Sequence, residues 1–399
     1  MTAHERILLR ISDQELARRW ACLREVMARR DVDAVIVQAT NDWLGGNVKW
    51  LTDIPANNGY PRTVLFYSNE LMTVVEMGVF GGRRTLKGDD PIHRGVGTIL
   101  TTPSFPSIGY SVRYDADLAL ADLRAHGVRR VGFANGTGFL AGFSDALREG
   151  LGNIPIEDLT NDLDALKAIK SEEEQDLIRR AAALQDEVFG HVCSVIRPGL
   201  RDIDVTSAAQ MKAQQLGSEQ GIFLGASARI GIRSPFMGRH FQGRTLAAGD
   251  HLSLLIEVNG PGGFFCEIAR TLVLGKASAE LLDGFAAVKA AQDHTLSLLK
   301  PGVAAREIAA AHDAYMTAHG LPPELRLYAH SQGYDMVERP LIRRDESMTI
   351  AAGMHFAVHP GYETDSIFAV ICDNYIIGPD GPGRCLHRTE KQVFEISLT

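Results

Sequence analysis

Four stretches of this chain set titratable side chains among apolar, strand-like neighbours. They are Gly238-Arg239-His240-Phe241-Gln242; Leu255-Ile256-Glu257-Val258-Asn259-Gly260, running on to Cys266-Glu267-Ile268-Ala269-Arg270-Thr271; His330-Ser331-Gln332-Gly333-Tyr334; and Val358-His359-Pro360-Gly361, followed by Ile371-Cys372-Asp373-Asn374. A buried charge is costly unless it is paired or hydrogen-bonded. Several of them in one half of a chain predict a cleft in which they satisfy one another. Imidazole exchanges a proton most readily near neutral pH. A glutamate can orient that imidazole, or act as acid or base where burial raises its pKa. The pattern therefore points to proton-transfer chemistry on a small molecule, although each histidine taken alone fits a structural role better. Cys266 reads as a small buried apolar residue and Arg270 as the brace of a buried carboxylate. Tyr334 is a candidate to line the cleft.

The elements that must position these residues fall into two textures. Residues 13–29 have apolar positions at helical spacing, 33–38, 63–67 and 72–76 read as strands, 115–126 as helix and 130–134 as strand. This alternation predicts an α/β domain with a mixed sheet over residues 1–160. Trp43 and Trp50 read as core, with Gly45-Gly46 between them as a turn. The texture changes near 160, and the boundary falls before a helix opened by Ser171 and Glu174, the spacing of a capping box. Beyond it the sequence predicts helices over 172–195 and 202–217, strands over 221–275, helices over 277–299 and 303–319, then strand and turn to the end. Arg197-Pro198-Gly199 and Lys300-Pro301-Gly302 each follow the first helix of a pair. Two rough copies are too few for a solenoid. Residues 161–399 read instead as a pseudo-symmetric α+β domain with a central cleft. Gly260-Pro261-Gly262-Gly263 lacks dinucleotide spacing and reads as a hairpin connection.

Bulk properties bound the partners. A chain of 399 residues, 45% hydrophobic and 23% charged, is long enough for two domains with substantial cores. Its formal net charge is -8 and no long Lys/Arg run occurs, which argues against nucleic acid. The five cysteines include no CxxC pair, so a disulfide scaffold is not expected and a reducing cytoplasm is. No apolar run reaches the ~18 residues of a membrane span, and residues 1–16 carry charges throughout, unlike a signal peptide.

The order of the segments resembles the creatinase/prolidase family, whose catalytic domain has the pita-bread fold. Residues 160–399 resemble that domain, and 1–160 the family's N-terminal domain. Leu166–Glu174 is similar to the family's linker into the first catalytic helix. Glu267-Ile268-Ala269-Arg270-Thr271 resembles its Asp-x-x-Arg-Thr segment, His330-Ser331-Gln332-Gly333 its His-x-x-Gly segment and Val358-His359-Pro360-Gly361 its Glu-Pro-Gly segment. Metal-dependent members hold two divalent ions with two Asp, one His and two Glu. Here the first Asp position falls near Leu255 or Ile256, with Glu257 one or two residues on. Glu267 takes the second Asp position and His330 keeps the His, but His359 and Cys372 stand where the two Glu belong.

The resemblance implies two alternatives. The favoured expectation is a metal-free, creatinase-like hydrolase of a C–N bond in a small nitrogenous molecule, with no cofactor and no peptidase activity. His240 would exchange the proton, Glu267, His330 and His359 would complete the catalytic group, and Glu257, Cys372 and Tyr334 would contact the substrate. The alternative is a single-metal hydrolase or Xaa-Pro peptidase with one Zn or Fe ion on Glu267, His330, His359 and Cys372. A lyase of the dimethylsulfoniopropionate-cleaving type, or a binding protein that has lost the chemistry, would fit the same fold. The family also implies a homodimer, in which Arg62 would reach the neighbouring subunit's site.

Overall fold

The computed structural model describes residues 9–398. The chain divides into two compact units, the first Arg10–Lys167 and the second from Ala168 onward.

The first unit contains α1 (Asp13–Arg30), β1 (Ala34–Ala39), α2 (Gly46–Thr52), β2 (Arg62–Tyr67), β3 (Met72–Met77), β4 (Gly82–Thr85), β5 (Val96–Thr102), α3 (Val112–Ala125), β6 (Val131–Phe133), α4 (Ala141–Leu151) and β7 (Ile156–Asp158), and α5 (Thr160–Ala168) closes it. Its seven strands form one mixed sheet in the order β4-β5-β3-β2-β1-β6-β7, with β1 antiparallel to β2 and parallel to β6. Ala116, Leu120 and Leu123 of α3 and Phe143, Leu147 and Leu151 of α4 pack on it with Ile36 and Phe133. Where the sequence reads a turn at Gly45-Gly46, the chain forms α2. Gly45 opens that helix so close to the Asn41 carbonyl that a Cβ has no room. Seven residues are too few for a periodic signal.

The second unit opens with α6 (Glu172–Val195) and α7 (Asp202–Gln215), followed by β8 (Gly221–Ala228), β9 (His251–Asn259) and β10 (Phe265–Leu274). Then come α8 (Ala279–Leu298), α9 (Ala305–Ala318), β11 (Ala329–Ser331), β12 (Glu338–Leu341), β13 (His355–Val358), β14 (Gly361–Glu363), β15 (Phe368–Val370), β16 (Asp373–Gly378), β17 (Gly381–Pro382) and β18 (Phe394–Ile396). Helix pair and strands recur in that order, as the sequence suggested. The capping box forms in full: Ser171 Oγ accepts from the Glu174 N–H at 3.2 Å and Glu174 accepts from the Ser171 N–H at 2.8 Å. One sheet runs β18-β10-β9-β8, a second β12-β11-β13-β16-β17, and β14 and β15 pair as a two-stranded sheet. Leu252, Leu254, Ile256 and Val258 of β9 are buried against Val188, Val192, Val205 and Ala209 of α6 and α7. Each such valine, leucine or isoleucine side chain contributes about 1.5–3 kcal/mol. An isolated bridge between Ala269 and Cys372 joins the two larger sheets.

Candidate active site

Alternation along β9 decides which of its side chains can meet the rest. The even-numbered apolar residues face α6 and α7, so Leu255 and Glu257 face the other way. The register pairs Leu255 with Ala269 and Glu257 with Glu267. Glu257, rather than Leu255 or Ile256, therefore stands opposite Glu267, which fixes a position that the sequence left open. In the second sheet, His330 lies on β11 across from Ala357 of β13, at an irregularity of the β11–β12 ladder of the kind that re-aims a side chain. His359 directly follows β13, its N–H bonded to the Tyr328 carbonyl at 2.6 Å. Cys372 directly precedes β16.

These elements bring Glu267, His330 and His359 together, with one ligand atom from each inside a 4.8 Å group. Nε2 of His359 is 3.3 Å from Glu267 Oε1, and Nε2 of His330 is 3.8 Å from it. The two imidazoles meet edge to face at 5.1 Å, and Cys372 Sγ donates to the same Oε1 at 3.0 Å. His330 Nδ1 lies 3.0 Å from the Ser331 carbonyl. That contact keeps the proton on Nδ1 and turns the Nε2 lone pair to the cluster. His359 Nε2 is buried and out of line for a hydrogen bond. A converging carboxylate, two imidazole nitrogens and an adjacent thiol suit one transition-metal ion such as Zn.

Two facing buried carboxyls cannot both be charged. Burial, then the charge of Glu267, pushes Glu257 well above its ordinary value. Burial acts on Glu267 in the same direction, but His359, His330 and the Cys372 thiol outweigh it and hold that carboxyl below its ordinary value. Of the two, Glu257 therefore holds a proton more tightly than Glu267. Burial takes His359 down to about 4, leaving it neutral. Burial, followed by the Glu267 charge, raises the Cys372 thiol well above its usual range, so binding of an ion there would release its proton. Beside the cluster, Cys372 packs with Leu255, Ala357 and Phe368, and Leu224 and Phe236 lie against them.

Other residues singled out in the sequence lie apart from this group. His240 is exposed in a single turn, Arg239–Phe241, within the long connection from β8 to β9. Gln242 anchors that turn through the Phe223 and Met237 carbonyls. Arg62 belongs to the first unit, where it pairs with Glu76 at 2.7 Å. Tyr334 is buried and stacked on Phe264 with ring centroids 4.2 Å apart. The sequence reading passed over Gln332, Asn374 and His355, all fully buried beside the cluster. Gln332 and Asn374 lie inside the segments it quoted, but a neutral amide carries no charge signal. A second convergence, Asp373 with Cys385 and His387, is already neutralised by Arg270 at 2.6 Å, with Lys391 at 3.9 Å.

Residues 176–379 match the model of metallopeptidase family M24. An uncharacterized peptidase of Bacillus subtilis, YqhT, is 22% identical over 276 residues, 68% of this chain and 76% of that protein. The probable dipeptidase PepE of Mycobacterium tuberculosis is 27% identical over 240 residues, 59% of this chain and 62% of that protein. Among solved structures, the X-Pro aminopeptidase of Thermotoga maritima superposes with a TM-score of 0.79 at 13% identity, covering 94% of this chain and 99% of that one.

Proposed function

Because the chain belongs to metallopeptidase family M24, with its pita-bread catalytic fold, we propose that it is a single-metal hydrolase of a C–N bond in a small peptide or related amide, with Xaa-Pro dipeptides as its first candidate substrates. One observation carries the reading: ligand atoms of Glu267, His330 and His359 converge within 4.8 Å beside the Cys372 thiol. The names of the relatives run to peptidases, which supports this alternative over the metal-free, non-peptidase expectation.

A bound ion would polarise the scissile carbonyl and lower the pKa of water. Glu267, His330, His359 and Cys372 would hold it, with His330 fixed in the correct tautomer by Ser331. Glu257 would pass a proton to the leaving nitrogen from the carboxyl oxygen that Gln332 does not bond and regain one from the attacking water, so that the buried pair ends the cycle with the single proton it began with. Leu224, Phe236 and Phe368 receive an apolar group of the substrate and keep bulk water off the bond. His240 has no part in this scheme.

Exhaustive chelation is expected to abolish turnover of a panel of Xaa-Pro dipeptides, and one of Zn, Co, Mn or Fe to restore it. Glu267→Gln should lose both the ion and the activity. Full turnover after chelation would refute the metal-dependent reading. Turnover confined to guanidino or N-substituted amino acid substrates would refute the peptidase reading.

A further inference from the structure

The residues around Glu257 form a hydrogen-bond chain of which the proposed chemistry uses only the first link, Gln332 to Glu257. Glu257 Oε1 accepts from Gln332 Nε2 at 2.9 Å. Gln332 Oε1 accepts from Asn374 Nδ2 at 2.8 Å, and that amide nitrogen also lies 2.9 Å from His355 Nε2. His355 Nδ1 is 3.1 Å from the Gln332 carbonyl. The Nδ1 proton is therefore donated there, and Nε2 is left to accept. Asn374 Oδ1 closes the chain by accepting the Glu267 N–H at 2.8 Å. Gln332, Asn374 and His355 are all fully buried. The side-chain amide and imidazole contacts are thus mutually consistent, and a fully satisfied buried network specifies one arrangement.

An ion shared between Glu257 and Glu267 would need oxygen or nitrogen lone pairs beside Glu257. The chain places an N–H donor there instead. Gln332 makes to Glu257 the contact that a cation would otherwise make, without bringing a charge. Asn374, two residues beyond Cys372, adds a second neutral amide where a further carboxylate would help to hold an ion pair. We infer that the Gln332–Asn374–His355 chain stands in for a second metal ion and limits the site to one. This inference rests on the single-metal reading above and deepens it.

The test is metal stoichiometry, read without activity. Metal-free protein is titrated with Co(II), with bound metal counted by equilibrium dialysis and elemental analysis and thiolate coordination followed by the near-ultraviolet charge-transfer band. The wild-type protein should take up one equivalent with that band, and Cys372→Ser should lose the band. Gln332→Glu, which keeps the side chain's shape but exchanges the donor for an oxygen ligand, should take up a second equivalent. Asn374→Asp is the parallel variant, and circular dichroism checks the fold of both. Two tight equivalents in the wild-type protein would overturn this inference while leaving a metal-dependent hydrolase intact. A single equivalent in both folded variants would show that the amide chain is not what limits the count. No bound metal in the wild-type protein would defeat the inference and the single-metal reading together.

Discussion

Arg270 and Asp373 have no solvent exposure and lie 2.6 Å apart. Asp373 also accepts from Gln292 at 3.1 Å, and Arg270 Nη1 donates to the Cys372 carbonyl at 2.9 Å. The pair thereby braces the backbone that presents a candidate ligand. Burial works against the Asp373 charge, but Arg270 and His387 outweigh it and hold the carboxyl below its ordinary value. Asp373→Asn keeps the shape and leaves Arg270 uncompensated, so it should cost about 3–5 kcal/mol at pH 7 in urea denaturation. A carboxyl that titrates lower in the folded chain than in the unfolded one contributes fully above the unfolded value of about 3.9, and loses that contribution as pH falls through the folded one. The gap between wild-type and Asp373→Asn protein should therefore narrow below pH ~4, and an equal gap at pH 7 and pH 3 would contradict the assignment. The sequence identified Arg270 as the brace of a carboxylate but not which carboxylate, because the partners come from strands 103 positions apart.

Two glycines of the second unit make opposite predictions about the elements that carry the site. Gly190 sits inside α6 with open space where a Cβ would go. Gly190→Ala should stabilise the protein by about 0.5–1 kcal/mol through helix propensity and a less flexible unfolded chain. Gly260, at the end of β9, would place a Cβ 2.5 Å from the Ala181 Cα of the same helix. Backbone cannot yield as a side chain can, so Gly260→Ala should push the β9–β10 hairpin away from α6 and destabilise by about 1–3 kcal/mol. Thermal denaturation of the two variants against wild type gives the signs, and a shift in the same direction for both would refute the packing argument. Elements such as α6 were legible because a capping box and an apolar stripe agree over 24 residues. Short α2 and the helix α4 were not read from the sequence, since few residues and no side-chain cap mark their ends. The connection that carries His240 has neither period nor cap, so nothing local could show that the histidine lies exposed on a turn.

At the scale of the whole molecule, the candidate ligands are shared between the two larger sheets of the second unit. Glu267 comes from β10, while His330, His359 and Cys372 come from β11 and from positions flanking β13 and β16. The sequence showed the two rough copies but not the register between them. That register depends on the Ala269–Cys372 bridge, a contact between residues 103 positions apart with no local signature. An ion held by all four residues would clip the copies together, and binding to the folded state alone stabilises it by about 2.7 kcal/mol at a concentration one hundredfold above Kd. Loading metal-free protein with Zn or Co should therefore raise the thermal transition of the second unit. Hydrogen exchange should slow in β10, β11, β13 and β16, while the interior strand β1 of the first unit, Ala34–Ala39, should exchange as before. His330→Ala should abolish both responses, because it removes a ligand without touching the apolar contacts of α6 and α7 with β9. Slowing confined to one sheet would show that the ion, if bound, does not bridge the copies.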